Sequence, residues 1–144
     1  MVLHIVKLAV GADSVADIAE WQKHQMREAR RLKRRVEPVC GTRMWPKRAE
    51  EVLHGGSLYW VVKGLILVRQ RILAIEEVVD EHGARCGLYL DPGLTLTAPQ
   101  PRRAFQGWRY LDPKDAPADA GNGAAIGSEL PDDLKRRLVT LGAW

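Results

Sequence analysis

The sequence predicts an α+β domain: a small, mostly antiparallel β-barrel with flanking helices. Three observations lead there. The hydrophobic pattern runs strand, helix, helix and then mostly strands. The strand-rich part is cut by turn signals at Gly64 and at Asp80-Glu81-His82-Gly83, as short antiparallel connections require. After residue 56 no helix alternates with the strands, so a doubly wound parallel sheet is not expected.

LHIVKLAV (3–10) is rich in branched apolar residues and reads as a strand, ended by Gly11. Asp13 or Ser14 then offers a side-chain oxygen to an orphan amide of a first helical turn, and Ser14 with Asp17 has capping-box spacing. The helix is expected over residues 15–36, before Glu37-Pro38. Ile18, Ala29, Leu32 and Val36 share one face of it; Lys23, Arg27, Arg30 and Arg34 form a basic stripe opposite. VCGTRMWP (39–46) reads as a connection. PKRAEEVLHGG (46–56) reads as a second helix, with Pro46 in its first turn and Gly55-Gly56 as its stop. SLYWVVKG, LILVRQRILAIEEV and ARCGLYLDP follow as strands, with TLTAP as one more. Residues 1–111 thus make the domain. Residues 112–128, rich in Ala, Gly, Pro and Asp, read as a flexible linker, and residues 129–144 as an amphipathic helix striped by Leu130, Leu134, Leu138 and Leu141.

Composition narrows the function. A chain of 144 residues, 46% hydrophobic and 28% charged, has the material for one core. The longest apolar stretch, LYWVVKGLILV, is broken by Lys63, so no membrane span is expected. MVLHIVKLAVGADS does not read as a signal peptide, because Lys7 splits its apolar part and a helix signal follows. A cytoplasmic address is expected, with Cys40 and Cys86 as reduced thiols. The histidines and cysteines show no paired metal spacing, there is no GxSxG elbow, and HGGS (54–57) lacks the phosphate-loop lysine. Arg43 stands near Cys40 and would lower its thiol pKa, but a small buried cysteine accounts for the position more simply. No catalytic residue, metal or cofactor is implied.

The net charge of +4 favours an anionic partner, and its distribution is more telling. KHQMREARRLKRR (23–35) carries seven lysines and arginines against one acid, Glu28. Lys23, Arg27, Arg30 and Arg34 on one face are candidates for successive phosphates, against the plainer reading of a solvated face. PRRAFQGWRYL (101–111) sets Phe105, Trp108 and Tyr110 among Arg102, Arg103 and Arg109. In a strand, Phe105 and Arg109 would face one way and Trp108 and Tyr110 the other; Phe105 is expected in the core and Trp108 at a rim near Arg103 or Arg109. Trp45, Trp60 and Trp108 are the stacking candidates for a base, if the fold brings them together.

On GGSLYWVVKGLILVRQRILAIEEV and PRRAFQGWRYL the chain resembles an uncharacterised family of small proteins, a domain of unknown function described from alphaproteobacteria. More distantly, WPKRAEEVLHGG looks like the helix before a central strand, VKGLILVRQRILAIEEV like the barrel hairpin, and FQGWRYL like the closing strand of the PUA-like superfamily, which includes the ASCH and EVE domains. That resemblance implies a small barrel and binding of RNA or modified bases. The expected function is therefore noncatalytic binding of RNA or a nucleotide, its base modified or not, through the basic helix face and a tryptophan-lined pocket. Two alternatives stand beside it: an enzyme acting on a nucleotide or nucleic acid, and a protein-interaction module that uses the C-terminal helix.

Overall fold

The computed structural model describes residues 2–81, 83–103, 105 and 107–121. In chain order these form β1 (His4–Leu8), α1 (Val15–Arg31), β2 (Val39–Thr42), α2 (Ala49–Leu53), β3 (Ser57–Val62), β4 (Leu65–Asp80), β5 (Gly83–Leu90), β6 (Thr95–Pro101), β7 (Trp108–Leu111) and β8 (Asp119–Gly121), with a 3-10 turn at Pro113–Asp115. The class is mixed α+β, sheet-rich with two α-helices.

The sheet does not close. Its order is β2-β5-β4-β3-β1-β7, with β6 added to β4 and β8 to β6. Among the described residues β2, β7 and β8 remain edges, so the expected barrel is corrected to an open sheet. The reason lies in β4, whose 16 residues serve two sets of partners. Its first half pairs with β3 and β6, its second half with β5, and the register shifts between Ile72 and Ala74. Such shifts bend a strand and increase its twist. All pairs are antiparallel except β1 with β3. The β3–β4 hairpin turns at Lys63 and Gly64, both with positive φ (48° and 82°), the type I′ geometry that suits twisted strands.

Helix α1 starts where its sequence says it should: the Ser14 hydroxyl accepts from Asp17 N at 3.3 Å. It stops five residues before position 36. Lys33 takes φ 56°, Lys33 N donates to Arg30 O and Arg34 N donates to Ala29 O at 2.7 Å. These are the two bonds of a Schellman cap, with lysine where glycine is usual. Arg34 consequently leaves the basic helical stripe. Replacing Lys33 by glycine relieves the left-handed strain and is expected to stabilise the protein by roughly 0.5–1 kcal/mol. A higher urea midpoint at unchanged m-value is the confirming result.

Other boundaries also move. Helix α2 is only five residues long, ending at the expected glycines. VCGT is a strand rather than a connection, with Cys40 opposite Leu88 and Thr42 opposite Cys86. The Gln25 side chain from α1 clamps it, bonding both N and O of Val39 at 2.9 Å.

The core fills both faces of β3. Leu58, Trp60 and Val62 pack with Val15, Ile18 and Ala19 of α1, whereas Tyr59 and Val61 pack with Val6, Ile66 and Leu111. The buried part of α1 is its first half. Leu32, expected on the apolar face, is 45% exposed. A polar bridge joins α1 to the sheet: Gln22 and Gln70 exchange two bonds of 2.7 Å, and Gln70 also donates to Asp91 O. Among the described residues no buried side-chain polar atom lacks a partner.

Residues 112–121, the first part of the expected linker, bond to β4 and β6. Ala98 N donates to Ala118 O, Gln100 Nε2 donates to Asp115 O, and Arg69 forms a two-bond ion pair with Asp119. The rest of the expected linker and the helix expected over residues 129–144 lie outside the described residues.

Candidate anion-binding cleft

Four cations from four different segments surround one cleft of about 710 Å³. Lys7 comes from β1, Arg43 follows β2, Arg85 lies on β5 and Arg109 on β7. The other described lining residues are apolar, glycine or Thr42, and none is acidic. Lys7 and Arg43 make no ion pair with any described residue. Like charges gathered with no acid among the described lining residues favour a positive potential, and a concave wall focuses it.

Local geometry fixes each group. Lys7 sits in register with Trp60 on β3 and with Trp108 on β7, so the lysine stands between two tryptophans in a row across three strands. Arg43 is carried by a turn whose Met44 carbonyl accepts from Trp108 Nε1 at 3.1 Å and from the Thr42 hydroxyl at 2.9 Å. Tyr110 sets Trp108 edge-on at 4.9 Å, and its hydroxyl accepts from Arg48 N. The Arg109 guanidinium lies over the Phe105 ring at 5.3 Å, a cation–π contact at the cleft wall. Leu8, Val10 and Met44 complete the apolar side.

The structure divides the expected site residues. Trp108 and Arg109 line the cleft; Arg103 is exposed and does not. Trp60 and Trp108 are near each other but buried, at 8% and 5% exposure, with both indole N–H groups committed, Trp60's to Gln70 at 2.9 Å. Their faces serve the core. Trp45 is 49% exposed and outside the cleft lining. Within PRRAFQGWRYL, Trp108 is buried in the main core while it also lines the cleft, and Phe105 is half-buried, packed against the second core cluster at the cleft wall. Gly107, at φ 71°, interrupts the strand and breaks the alternation assumed for it.

Of the basic stripe, Arg27 and Arg30 are exposed on α1, and Lys23 lies 3.8 Å from Glu20. None of the three lines the cleft. Arg34 borders a separate cleft of about 620 Å³ that also holds Glu28, Glu37 and Glu77, a mixed charge ill suited to phosphate.

The nucleophile candidates are occupied. Burial pushes the Cys40 thiol up, against the pull of Lys7 and Arg85; Arg43 is not among its influences. Burial and the Arg69 charge hold His4 below the ordinary histidine pKa, and its Nδ1 accepts from the Ser57 backbone N at 2.9 Å. The Ser57 hydroxyl instead takes a bond from Arg69, so His4 and Ser57 are not arranged as base and nucleophile. Among the described residues no cluster of His, Cys, Asp or Glu could hold a metal, and no helix is long and apolar enough to cross a membrane.

Lys7, Arg43 and Arg85 are functional candidates that sequence reasoning passed over. Lys7 alone left a signal, a charge inside an otherwise apolar strand.

Residues 5–144 match a family model described as "Protein of unknown function (DUF1489)", and the chain therefore belongs to that family. No curated protein and no solved structure matches the chain.

Proposed function

We propose that this DUF1489 protein binds RNA or a nucleotide without chemical change, in the cleft between β1, β5, β7 and the turn after β2. The observation that carries the reading is the set of four cations without a described acidic neighbour in the lining. Phosphate is the biological anion that such a set attracts most strongly, and arginine predominates where phosphate geometry matters. The Arg109 guanidinium, lying over the half-buried Phe105 ring at the cleft wall, is a planar cation of the kind bases stack upon. The likeness of residues 45–56 and 62–78 to PUA-like proteins adds support of a separate kind. Exposed Arg27 and Arg30 on α1 contribute to the general attraction for phosphate from outside the cleft.

The test is a titration of fluorescent single-stranded RNA at several salt concentrations. Binding should weaken steeply with salt. Replacing both Lys7 and Arg43 by alanine should flatten the log–log slope by about 1–2, because two phosphate contacts are lost. Absence of binding to RNA and to nucleotides at low salt removes the reading.

A further inference from the structure

We infer that Gly41 is the position at which the cleft reads a base: its main-chain N–H and C=O take the Watson–Crick edge of one unpaired nucleotide base whose edge carries no methyl group. This rests on the nucleotide-binding reading above and names its recognition element.

The open edge of β2 is the first argument. Along an antiparallel strand, successive residues turn their N–H and C=O to opposite sides. Leu90 N donates to Pro38 O, so in the register of β2 with β5 the groups of Cys40 and Thr42 point to β5 and those of Val39 and Gly41 point away. The outward pair of Val39 is already taken. Gln25 Nε2 donates to Val39 O and Gln25 Oε1 accepts from Val39 N, both at 2.9 Å. One planar amide thus satisfies a donor and an acceptor of this edge together. About 7 Å further along the strand, Gly41 presents the same pair, and no described residue bonds it. Gly41 lies in extended β2 and is not among the glycines at positive φ, so its backbone does not require a glycine. A glycine inside a strand otherwise marks a close approach to the backbone.

The surroundings are the second argument. Gly41 lines the cation cleft on one side and borders the mixed-charge cleft beside α1 on the other. Each RNA base carries a donor next to an acceptor on its Watson–Crick edge, as the Gln25 amide does. A peptide strand would use the same groups, but strand addition needs a row of them. Here Gln25 occupies Val39, and β2 ends at Thr42, so a single open residue remains. One open residue seats one base. Lys7 and Arg43, in the same lining and without an ion pair to any described residue, stand ready for its phosphate.

The experiment is calorimetric titration of the full chain with UMP, 3-methyl-UMP and 5-methyl-UMP, with ribose 5-phosphate as the probe that lacks a base. UMP and 5-methyl-UMP should bind alike, because the 5-methyl group lies off the Watson–Crick edge. In 3-methyl-UMP the methyl group replaces the edge donor, and binding should be at least about tenfold weaker, as a polar group left unpaired entails. Gly41→Pro removes the outward N–H without touching the ladder to β5. It should weaken UMP by about tenfold and leave ribose 5-phosphate unchanged. A thermal melt checks that this variant folds, and the comparison of analogues on the unaltered chain decides the matter if it does not. Binding of 3-methyl-UMP as tight as that of UMP overturns the inference and leaves the broader reading standing. UMP binding that a folded Gly41→Pro variant retains in full overturns the assignment to Gly41. No binding of nucleotides or RNA overturns both. Binding of an extended peptide of alternating valine and glutamate in their stead also overturns both, and makes the edge a site of strand addition.

Discussion

Gly56→Ala is expected to destabilise the protein by about 3 kcal/mol or more, beyond the usual range for added methyl groups. Gly56 lies where α2 enters β3. A Cβ placed there meets the Leu3 carbonyl oxygen at 2.2 Å and the Val52 carbonyl oxygen at 2.4 Å. Neither obstacle is the end of a flexible side chain. Leu3 N is bonded to Glu51 O, Gly56 N to Val52 O, and Ile72 N to Gly56 O. Relief of the clash therefore means parting β1 from α2 or breaking the turn that leads into the central strand. Gly64→Ala is the comparison. Gly64 has φ 82° but open space around its Cβ position, so its substitution should cost only the left-handed strain, about 1–2 kcal/mol. Urea unfolding of both variants separates clash from strain. Equal losses would mean that β1 and α2 part easily.

Gly56 also shows what a sequence makes legible. Gly55-Gly56 marks a helix end by the absence of side chains, and the structure ends α2 there. The Ser14 cap, the hairpin at Gly64 and the β4–β5 hairpin, which pairs Asp80 with Gly83, depend equally on neighbours in the chain, and each was readable. What was not readable depends on distant partners. VCGT is a strand because β5 and Gln25 pair with it, and four residues with an internal glycine show no alternation of their own. The end of α1 was hidden because Lys33, not glycine, takes the left-handed position. Sheet closure was misjudged because strand count and turns do not reveal which edges meet. The cleft was legible only in fragments. Arg109 and Trp108 drew attention through their neighbours, whereas Lys7, Arg43 and Arg85 come together only through the pairing of β1 with β7 and of β2 with β5.

Trp108→Ala should unfold the protein far more readily than Phe105→Ala, although the two residues are only three positions apart. Trp108 is 5% exposed and belongs to the main core cluster, which also holds Trp60 and Val62. Its truncation should cost about 3–5 kcal/mol, the range for large aromatic side chains in cores. It also removes the Nε1 donor to Met44 O, leaving the Thr42 hydroxyl as the remaining tie of the turn that carries Arg43. Trp108→Phe keeps a ring and loses that donor, so it should fold yet weaken nucleotide binding through a looser Arg43. Phe105 is half-buried, with Arg109 on its face, and only flanks the second core cluster, so its truncation should cost less stability than that of Trp108. Its larger effect should fall on binding, because the Arg109 guanidinium loses the ring beneath it, a loss of about 1–3 kcal/mol, the scale of one stacked base. Thermal melts and a UMP titration on each variant decide between the roles. If Phe105→Ala melts as early as Trp108→Ala, the ring is a core residue and the cleft has no platform for a base. If it folds normally and binds as well as the parent, the ring supports no stacked base, and the ligand is held without it.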